Sequence, residues 1–153
     1  MASQFRFLHR VEFSETDMAG IVHFSNFFRY MEKAEHAFFR SLGYSVHPRK
    51  SGEFQAVGWP RVHAECDYLG PITFEDEVEI LLYVARKGKK SLTYFFEISR
   101  ILQDGKQLCA TGKTVAACVT LSPEAGKMVA VDIPDYLTSQ ISEADPVLFT
   151  PKS

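Results

Sequence analysis

Long hydrophobic runs and an excess of charge of one sign are both missing from this sequence. No apolar run approaches the roughly 20 residues that a membrane-spanning helix needs, and the opening residues MASQFRFLHR contain no hydrophobic signal core. The 17 basic and 19 acidic residues give a formal net charge of -2, so there is no bulk electrostatic basis for binding nucleic acid or a membrane surface. We therefore expect a soluble, cytoplasmic protein.

The sequence also has few groups suited to holding a metal or a cofactor. The 3 cysteines form no CxxC pair, which is typical of reduced, buried cysteines. The 5 histidines include no HExxH motif, so we predict no metal site. The segment ATGKT lacks the first glycine of a phosphate-binding P-loop, and GYSVH lacks the last glycine of a nucleophile elbow. No cofactor is predicted.

The hydrophobic content is sufficient for one domain, because 46% of the 153 residues are hydrophobic. We take 1–153 as a single domain, with a core at about 5–121 and a tail at 122–153 that holds at most a short helix. Alternation of apolar and polar residues predicts strands. These are expected at about 5–13, 62–68, 76–86, 91–102 and 107–121, with a short strand near 54–57.

One long helix separates the first strand from the others. Ser25 or Asn26 can cap its start and Gly43 is a typical stop signal, so we place it at about 26–42. Its apolar residues fill a wide arc, as in a helix covered by a sheet. Short connections between the later strands exclude a parallel βαβ fold. The predicted class is therefore α+β with an antiparallel sheet.

The polar loop before this helix holds the first candidate for chemistry, Asp17. N–H groups at the start of a helix have no partner within the helix and carry partial positive charge. Such groups near 24–27 could polarise a thioester carbonyl while Asp17 attacks it or activates water. On residue type alone, Asp17 could instead only satisfy backbone groups in a turn.

Three stretches together resemble the 4-hydroxybenzoyl-CoA thioesterase family and its acyl-CoA thioesterase relatives. They are VEFSETDMAGIVHFSNFFRYMEKAEHAFFRSLG, WPRVHAECDYLGPITFEDEVEI and GKKSLTYFFEI, which cover most of 5–121. The resemblance implies a hotdog fold, in which an antiparallel sheet wraps around one long helix. It also implies homodimers or homotetramers with active sites at the subunit interface, and hydrolysis of an aromatic or short- to medium-chain acyl-CoA to free acid and CoA.

Carried over residue by residue, the resemblance puts the catalytic aspartate at Asp17, as nucleophile or general base. It puts the loop glycine at Gly20, the helix-start asparagine at Asn26 and the carbonyl-polarising N–H near Phe24. The sequence departs from the family at Glu15, where relatives commonly have Asp, and at the adjoining residues 23 and 24. These departures leave the substrate subgroup open.

Two further residues near this motif have both a functional and a structural interpretation. His23 could orient substrate or assist proton transfer, or it could be a structural histidine. Glu35 falls inside the apolar arc of the helix, where a carboxylate needs an explanation. Because another hotdog lineage uses a helix carboxylate, Glu35 is a possible helper or rival of Asp17. The alternative is that it pairs with a basic residue at an interface.

Cations and aromatic residues provide candidates for substrate binding. The turn 86–91 carries four cations, a geometry suited to the phosphates of CoA, and the resemblance implies nucleotide contacts near it. A solvated turn is the alternative. We take as candidates the turn residues Arg86, Lys89, Lys90 and Ser91. Aromatic residues could line an acyl pocket or belong to the core; they are Phe24, Phe27, Phe28, Phe54 and Trp59.

Two alternatives to acyl-CoA hydrolysis stay open. Acyl carrier protein could be the acyl donor, with the basic turn meeting an acidic protein surface. A hotdog oligomer could also bind acyl-CoA without hydrolysing it.

Overall fold

The alternating segments of the sequence form one antiparallel sheet in the computed structural model, which describes residues 1–47, 57–122 and 126–149. The strand order is β1-β3-β4-β5-β2, and a separate hairpin joins β6 and β7. The strands are β1 (Gln4–Arg10), β2 (Arg61–Tyr68), β3 (Glu77–Lys87), β4 (Ser91–Leu102), β5 (Gly105–Ala117), β6 (Val119–Ser122) and β7 (Lys127–Ala130). The helices are α1 (Asn26–Ser41) and α2 (Asp135–Thr138), with 3-10 turns at Phe13–Glu15 and Pro146–Leu148.

Helix α1 lies across one face of the sheet, as its apolar arc predicts. Phe27, Tyr30 and Phe38 are buried on the helix, and alternate residues of β4 are buried beneath them. Gly112 of β5 permits a close approach, because a Cβ at this position would overlap the Met31 side chain. The sheet wrapped around one helix is the hotdog fold, so the α+β class and the hotdog prediction are confirmed.

The predicted element bounds need three corrections. Strand β1 ends at Arg10 rather than near 13, because Glu12 and Glu15 form a capping box that turns the chain and leaves Phe13 exposed. The long strand at 107–121 is divided at Cys118, whose N–H donates to Lys90 O at 2.8 Å. The tail contains β7, which the sequence did not indicate. Most of the predicted strand at 54–57 lies outside the described residues.

The alternation of apolar and polar residues in β2 is typical of a strand with one buried face, but this expectation is wrong for the single chain. All of its residues are exposed except Cys66, which is half-buried, and Val62 is 65% exposed. Strand β2 lies at the end of the strand order and pairs only with β5, and α1 packs mainly against β1 and β3, so little covers β2. An open edge of this kind presents backbone groups that another strand can bind.

The tail packs back onto the start of the sheet. Ala2 forms a parallel bridge with Ile141, and the Ala144 N–H donates to Val84 O at 2.8 Å. Phe149 then stacks on Phe95, with ring centroids 5.4 Å apart. Within the described ranges, no helix combines the length and the apolar character needed to cross a bilayer.

Candidate active site

The loop between β1 and α1 is held in shape by Glu15. Its carboxylate lies 2.8 Å from His9 Nε2 and accepts a bond from the Glu12 N–H at 2.7 Å. Burial alone would raise the pKa of Glu15, but these two partners hold it below its usual value. Its carbonyl accepts from the His23 N–H at 2.9 Å and from the Asn26 side chain at 2.7 Å. Asn26 therefore ties the loop to the first turn of α1.

Asp17 lies at the exposed tip of this loop. Its backbone is fixed by two bonds, from the Asp17 N–H to Ile21 O at 3.0 Å and from the Gly20 N–H to Asp17 O at 2.9 Å. Gly20 has a φ of 78°, the left-handed region that favours glycine. Asp17 Oδ1 accepts from the Ala19 N–H at 2.8 Å, whereas Oδ2 has no partner among the described residues. The side chain lines an open surface cavity of about 430 Å³ together with Phe74. One carboxylate oxygen is thus free to meet a substrate.

The Phe24 N–H, just before α1, is a backbone donor that no other group uses within the described residues. The N–H groups of His23, Asn26 and Phe27 each donate to a backbone carbonyl, and the Ser25 N–H donates to His23 Nδ1 at 3.3 Å. The Phe24 N–H has no acceptor within the described part of the chain. This is the position that the sequence resemblance indicated for polarising a carbonyl.

Tyr68 is a neighbour of this donor that the sequence did not reveal. Its hydroxyl donates to the Phe24 carbonyl at 2.9 Å, and its ring packs edge-on against Phe27 at 5.0 Å. The contact spans 44 residues, so no local pattern could have indicated it. Tyr68 fixes the orientation of the carbonyl of Phe24 and ties the open end of β2 to the start of α1.

His23 occupies a structural position at the start of the helix. Its Nδ1 lies 2.8 Å from Ser25 Oγ, and its ring lies 4.5 Å from that of Phe24. These contacts support the structural interpretation of His23, while its ring remains next to the unused donor.

Within one chain, the basic turn 86–91 and Trp59 lie at the opposite end of the sheet from Asp17. The Asp17 loop contacts the segment before β3, since Val22 donates to Ile72 O, whereas the basic turn follows the end of β3. The 11 residues of β3 separate the two sites by about 33 Å. Trp59 is buried at that far end, 5.5 Å from the Phe39 ring, so in the single chain it is a core residue.

The cations of the turn 86–91 differ in their surroundings. The Lys87 side chain donates to the Thr138 and Ile141 carbonyls and so anchors the tail. Lys89 lies 3.6 Å from Asp132 in an exposed ion pair. Arg86 and Lys90 have no ion-pair partner among the described residues. Arg86 and Ser91 also line a cavity of about 530 Å³ on the outer face of the sheet, together with Lys113, Phe95 and Phe149.

Glu35 is buried, with 1% of its surface exposed, and it forms an ion pair with Arg61 of β2. The sequence interpretation of Glu35 as the partner of a basic residue therefore agrees with the geometry. Burial raises the pKa of Glu35 to about 7, although the charge of Arg61 opposes the shift. Its second oxygen, Oε1, has no hydrogen-bond partner among the described residues. Phe28 lies beside it, in the wall of a cavity of about 210 Å³.

No group of three or more His, Cys, Asp and Glu side chains is arranged to hold a metal ion within the residues that the structure describes.

Comparison with known proteins identifies the family to which this fold belongs. Residues 11–141 match the model of the thioesterase-like superfamily, and the chain belongs to that superfamily. It is 28% identical to the 1,4-dihydroxy-2-naphthoyl-CoA hydrolase of Synechococcus elongatus, over 76% of this chain and 82% of that protein. It is 27% identical to the 4-hydroxybenzoyl-CoA thioesterase of Pseudomonas sp., over 69% and 74% of the two chains.

A solved structure shows the same architecture. The crystal structure of a 1,4-dihydroxy-2-naphthoyl-CoA thioesterase from Synechocystis superposes with a TM-score of 0.76 at 24% identity, over 89% of this chain and 93% of that chain. The family and the relatives show that the protein is an enzyme, a thioester hydrolase, and the solved structure shows the hotdog fold.

Proposed function

We propose that this enzyme hydrolyses an aromatic acyl-CoA to the free acid and CoA, with Asp17 and the Phe24 N–H as its reactive groups. The observation that carries the proposal is the unused Phe24 N–H at the start of α1, beside a loop that exposes an Asp17 oxygen. The two relatives described above, which are named for hydroxyaryl-CoA substrates, support the choice of acyl group.

The chemistry can be written with these groups alone. The thioester oxygen accepts a hydrogen bond from the Phe24 N–H, which stabilises the negative charge that develops as the carbonyl is attacked. Either the Asp17 carboxylate adds to the carbonyl carbon and CoA thiolate leaves, giving an anhydride that water then hydrolyses, or Asp17 removes a proton from the attacking water. Both routes give acid and CoA, and the thiolate is a good leaving group without a metal.

A thiol-release assay over a panel of CoA esters tests the substrate class. We expect aryl-CoA esters to be hydrolysed with kcat/KM within the usual enzymatic range of about 10⁴ to 10⁸ M⁻¹ s⁻¹, and straight-chain esters much more slowly. Matched acyl-carrier-protein thioesters in the same assay identify the donor. Faster thiol release from the acyl-carrier-protein thioesters would contradict the assignment of CoA as the acyl donor. Binding of the CoA esters without thiol release would contradict the proposal that the protein hydrolyses them.

We further propose that the complete site forms between two copies of the chain. The Asp17 loop and the turn 86–91 are too far apart within one chain to hold the two ends of one CoA ester. Two-fold antiparallel pairing of the open β2 edges places the Arg61 end of one strand against the Tyr68 end of the other. The Tyr68 end carries the Phe24 donor, and the Arg61 end lies on the side of the basic turn. Pairing therefore brings the Asp17 loop of one copy towards the basic turn of its partner.

Mixing two impaired variants tests this shared site. Asp17→Asn lacks the reactive carboxylate, and the Arg86→Ala/Lys90→Ala double variant lacks the two cations of the turn. After unfolding and refolding together in equal amounts, half of the dimers are mixed and each has one intact site, so about a quarter of the wild-type activity is expected. Each variant refolded with itself is the control. Activity no higher than the mean of the two controls would show that both groups act within one chain.

A further inference from the structure

A cavity between α1 and β2 has a polar end that the proposed catalytic groups do not use. It has a volume of about 210 Å³, and its walls include Phe28, Met31 and Ala64. Its floor contains Glu35 and Thr114, whose side chains are 1% and 4% exposed. A cavity of about 150 Å³ in another protein holds one benzene ring. The space is therefore large enough for one substituted aromatic ring.

Three buried polar atoms in or next to this end have no hydrogen-bond partner within the described residues. Glu35 Oε1 and Thr114 Oγ1 belong to residues that line the cavity, and the hydroxyl of Tyr94 belongs to the cross-strand neighbour of Thr114, which does not line it. Burial raises the pKa of Tyr94 and the charge of Glu35 raises it further, so these two groups lie close enough to interact. A buried polar group without a partner destabilises the fold, and three of them close together are unusual. Such a cluster is well suited to a ligand that completes its hydrogen bonds.

The chemistry of the cluster selects the kind of group that can fill it. A carboxylate on the ligand would be repelled by Glu35 and by Glu32 at the rim, and an ammonium group would be repelled by Arg61. A neutral hydroxyl matches the two atoms in the cavity wall, because it donates to Glu35 Oε1 and accepts from the hydroxyl of Thr114. The cluster therefore fits a phenolic or alcoholic hydroxyl.

The position of the cavity relates it to the proposed reaction. Arg61 and Ala64 place its rim on the open edge of β2. In the two-fold pairing proposed above, this rim faces the Phe24 end of the partner. An acyl group whose carbonyl is held by the partner's donor would then extend into the cavity.

We infer that Glu35 and Thr114, with Tyr94 next to Thr114 in the sheet, form the subsite that recognises a ring hydroxyl on the acyl group and so determine the specificity of the enzyme. This inference rests on the proposed function. It assigns Glu35 a role in binding the far end of the acyl group, and it assigns Arg61 the role of positioning Glu35.

The test compares benzoyl-CoA with its 2-, 3- and 4-hydroxy derivatives in the wild-type enzyme and in two variants. We expect at least one hydroxy isomer to exceed benzoyl-CoA in kcat/KM by about tenfold or more, because a site that hydrogen-bonds a hydroxyl rejects the analogue without it. Thr114→Val removes one hydroxyl at nearly constant volume. Glu35→Gln replaces the Oε1 acceptor with an amide donor while a carbonyl can still face Arg61. The selectivity ratio is kcat/KM for the preferred hydroxy isomer divided by kcat/KM for benzoyl-CoA. Each variant is expected to lower this ratio about tenfold.

Thr111→Val is the matched control, because Thr111 belongs to the same strand but to its outer face, and it should leave the ratio unchanged. Thermal unfolding checks that each variant folds, and either variant alone is sufficient for the test. A wild-type ratio below about twofold for all isomers, or a ratio that survives in both variants, would overturn the inference while leaving the hydrolysis intact. If the wild type hydrolyses none of the esters, the proposed function fails instead. Calorimetric binding of the same esters then measures the hydroxyl preference directly.

Discussion

Asp17→Asn is expected to lower kcat for an aryl-CoA by roughly 10³-fold, within the range that a general base or nucleophile contributes. Asparagine keeps a carbonyl oxygen at the Oδ1 position, which can still accept from the Ala19 N–H, so the loop should keep its shape. The amide cannot attack the thioester or remove a proton from water. Binding should therefore persist while turnover is lost. Thiol release measures the turnover, and calorimetry with the intact ester measures the binding.

Asp104→Asn provides the control for this substitution. Asp104 is exposed in the turn between β4 and β5, and within the described residues no hydrogen bond or ion pair links it to the loop that carries Asp17. The same change of charge at that position should leave both kcat and binding near the wild-type values. A kcat for Asp17→Asn within about threefold of wild type would remove Asp17 from the mechanism and direct attention to the other carboxylates.

The local part of the site could be predicted because its residues are neighbours in the sequence. The loop with Asp17 and Gly20 directly precedes α1, so a helix start and a carboxylate are brought together whatever the rest of the fold does. The burial of Glu35 also followed from a local property, its angle on the helix. The assignment of segments as strands or as a helix was predictable for the same reason, because the spacing of apolar residues that distinguishes the two is a property of the local sequence.

The remaining features depend on contacts that no local pattern encodes. The bond of Tyr68 to Phe24 and the pairing of Glu35 with Arg61 join segments separated by 44 and 26 residues. The exposure of β2 follows from its place at one end of the strand order together with the packing of α1 mainly against β1 and β3, neither of which a local pattern encodes. Lys87 resembles the other cations of its turn in sequence, yet only the packing of the tail reveals that it is an anchor.

Phe24→Pro is expected to lower kcat by about 10²-fold or more, as the loss of one donor to a developing oxyanion does in other hydrolases. Proline has no N–H, so the substitution removes a donor just before α1 that is unused among the described residues. Its carbonyl can still accept from Tyr68. The effect should appear in kcat more than in KM, because the hydrogen bond strengthens as charge develops on the oxygen.

Phe24→Ala separates the backbone donor from the side chain. Alanine keeps the N–H, and the phenylalanine ring is 62% exposed, so its removal should change kcat by no more than about fivefold. Circular dichroism and thermal unfolding of both variants check that α1 still begins at the same place. If a folded Phe24→Pro variant turns over as fast as Phe24→Ala, the thioester oxygen is not held by this N–H. The polarising group must then be sought among the groups that a partner strand brings to the open edge of β2.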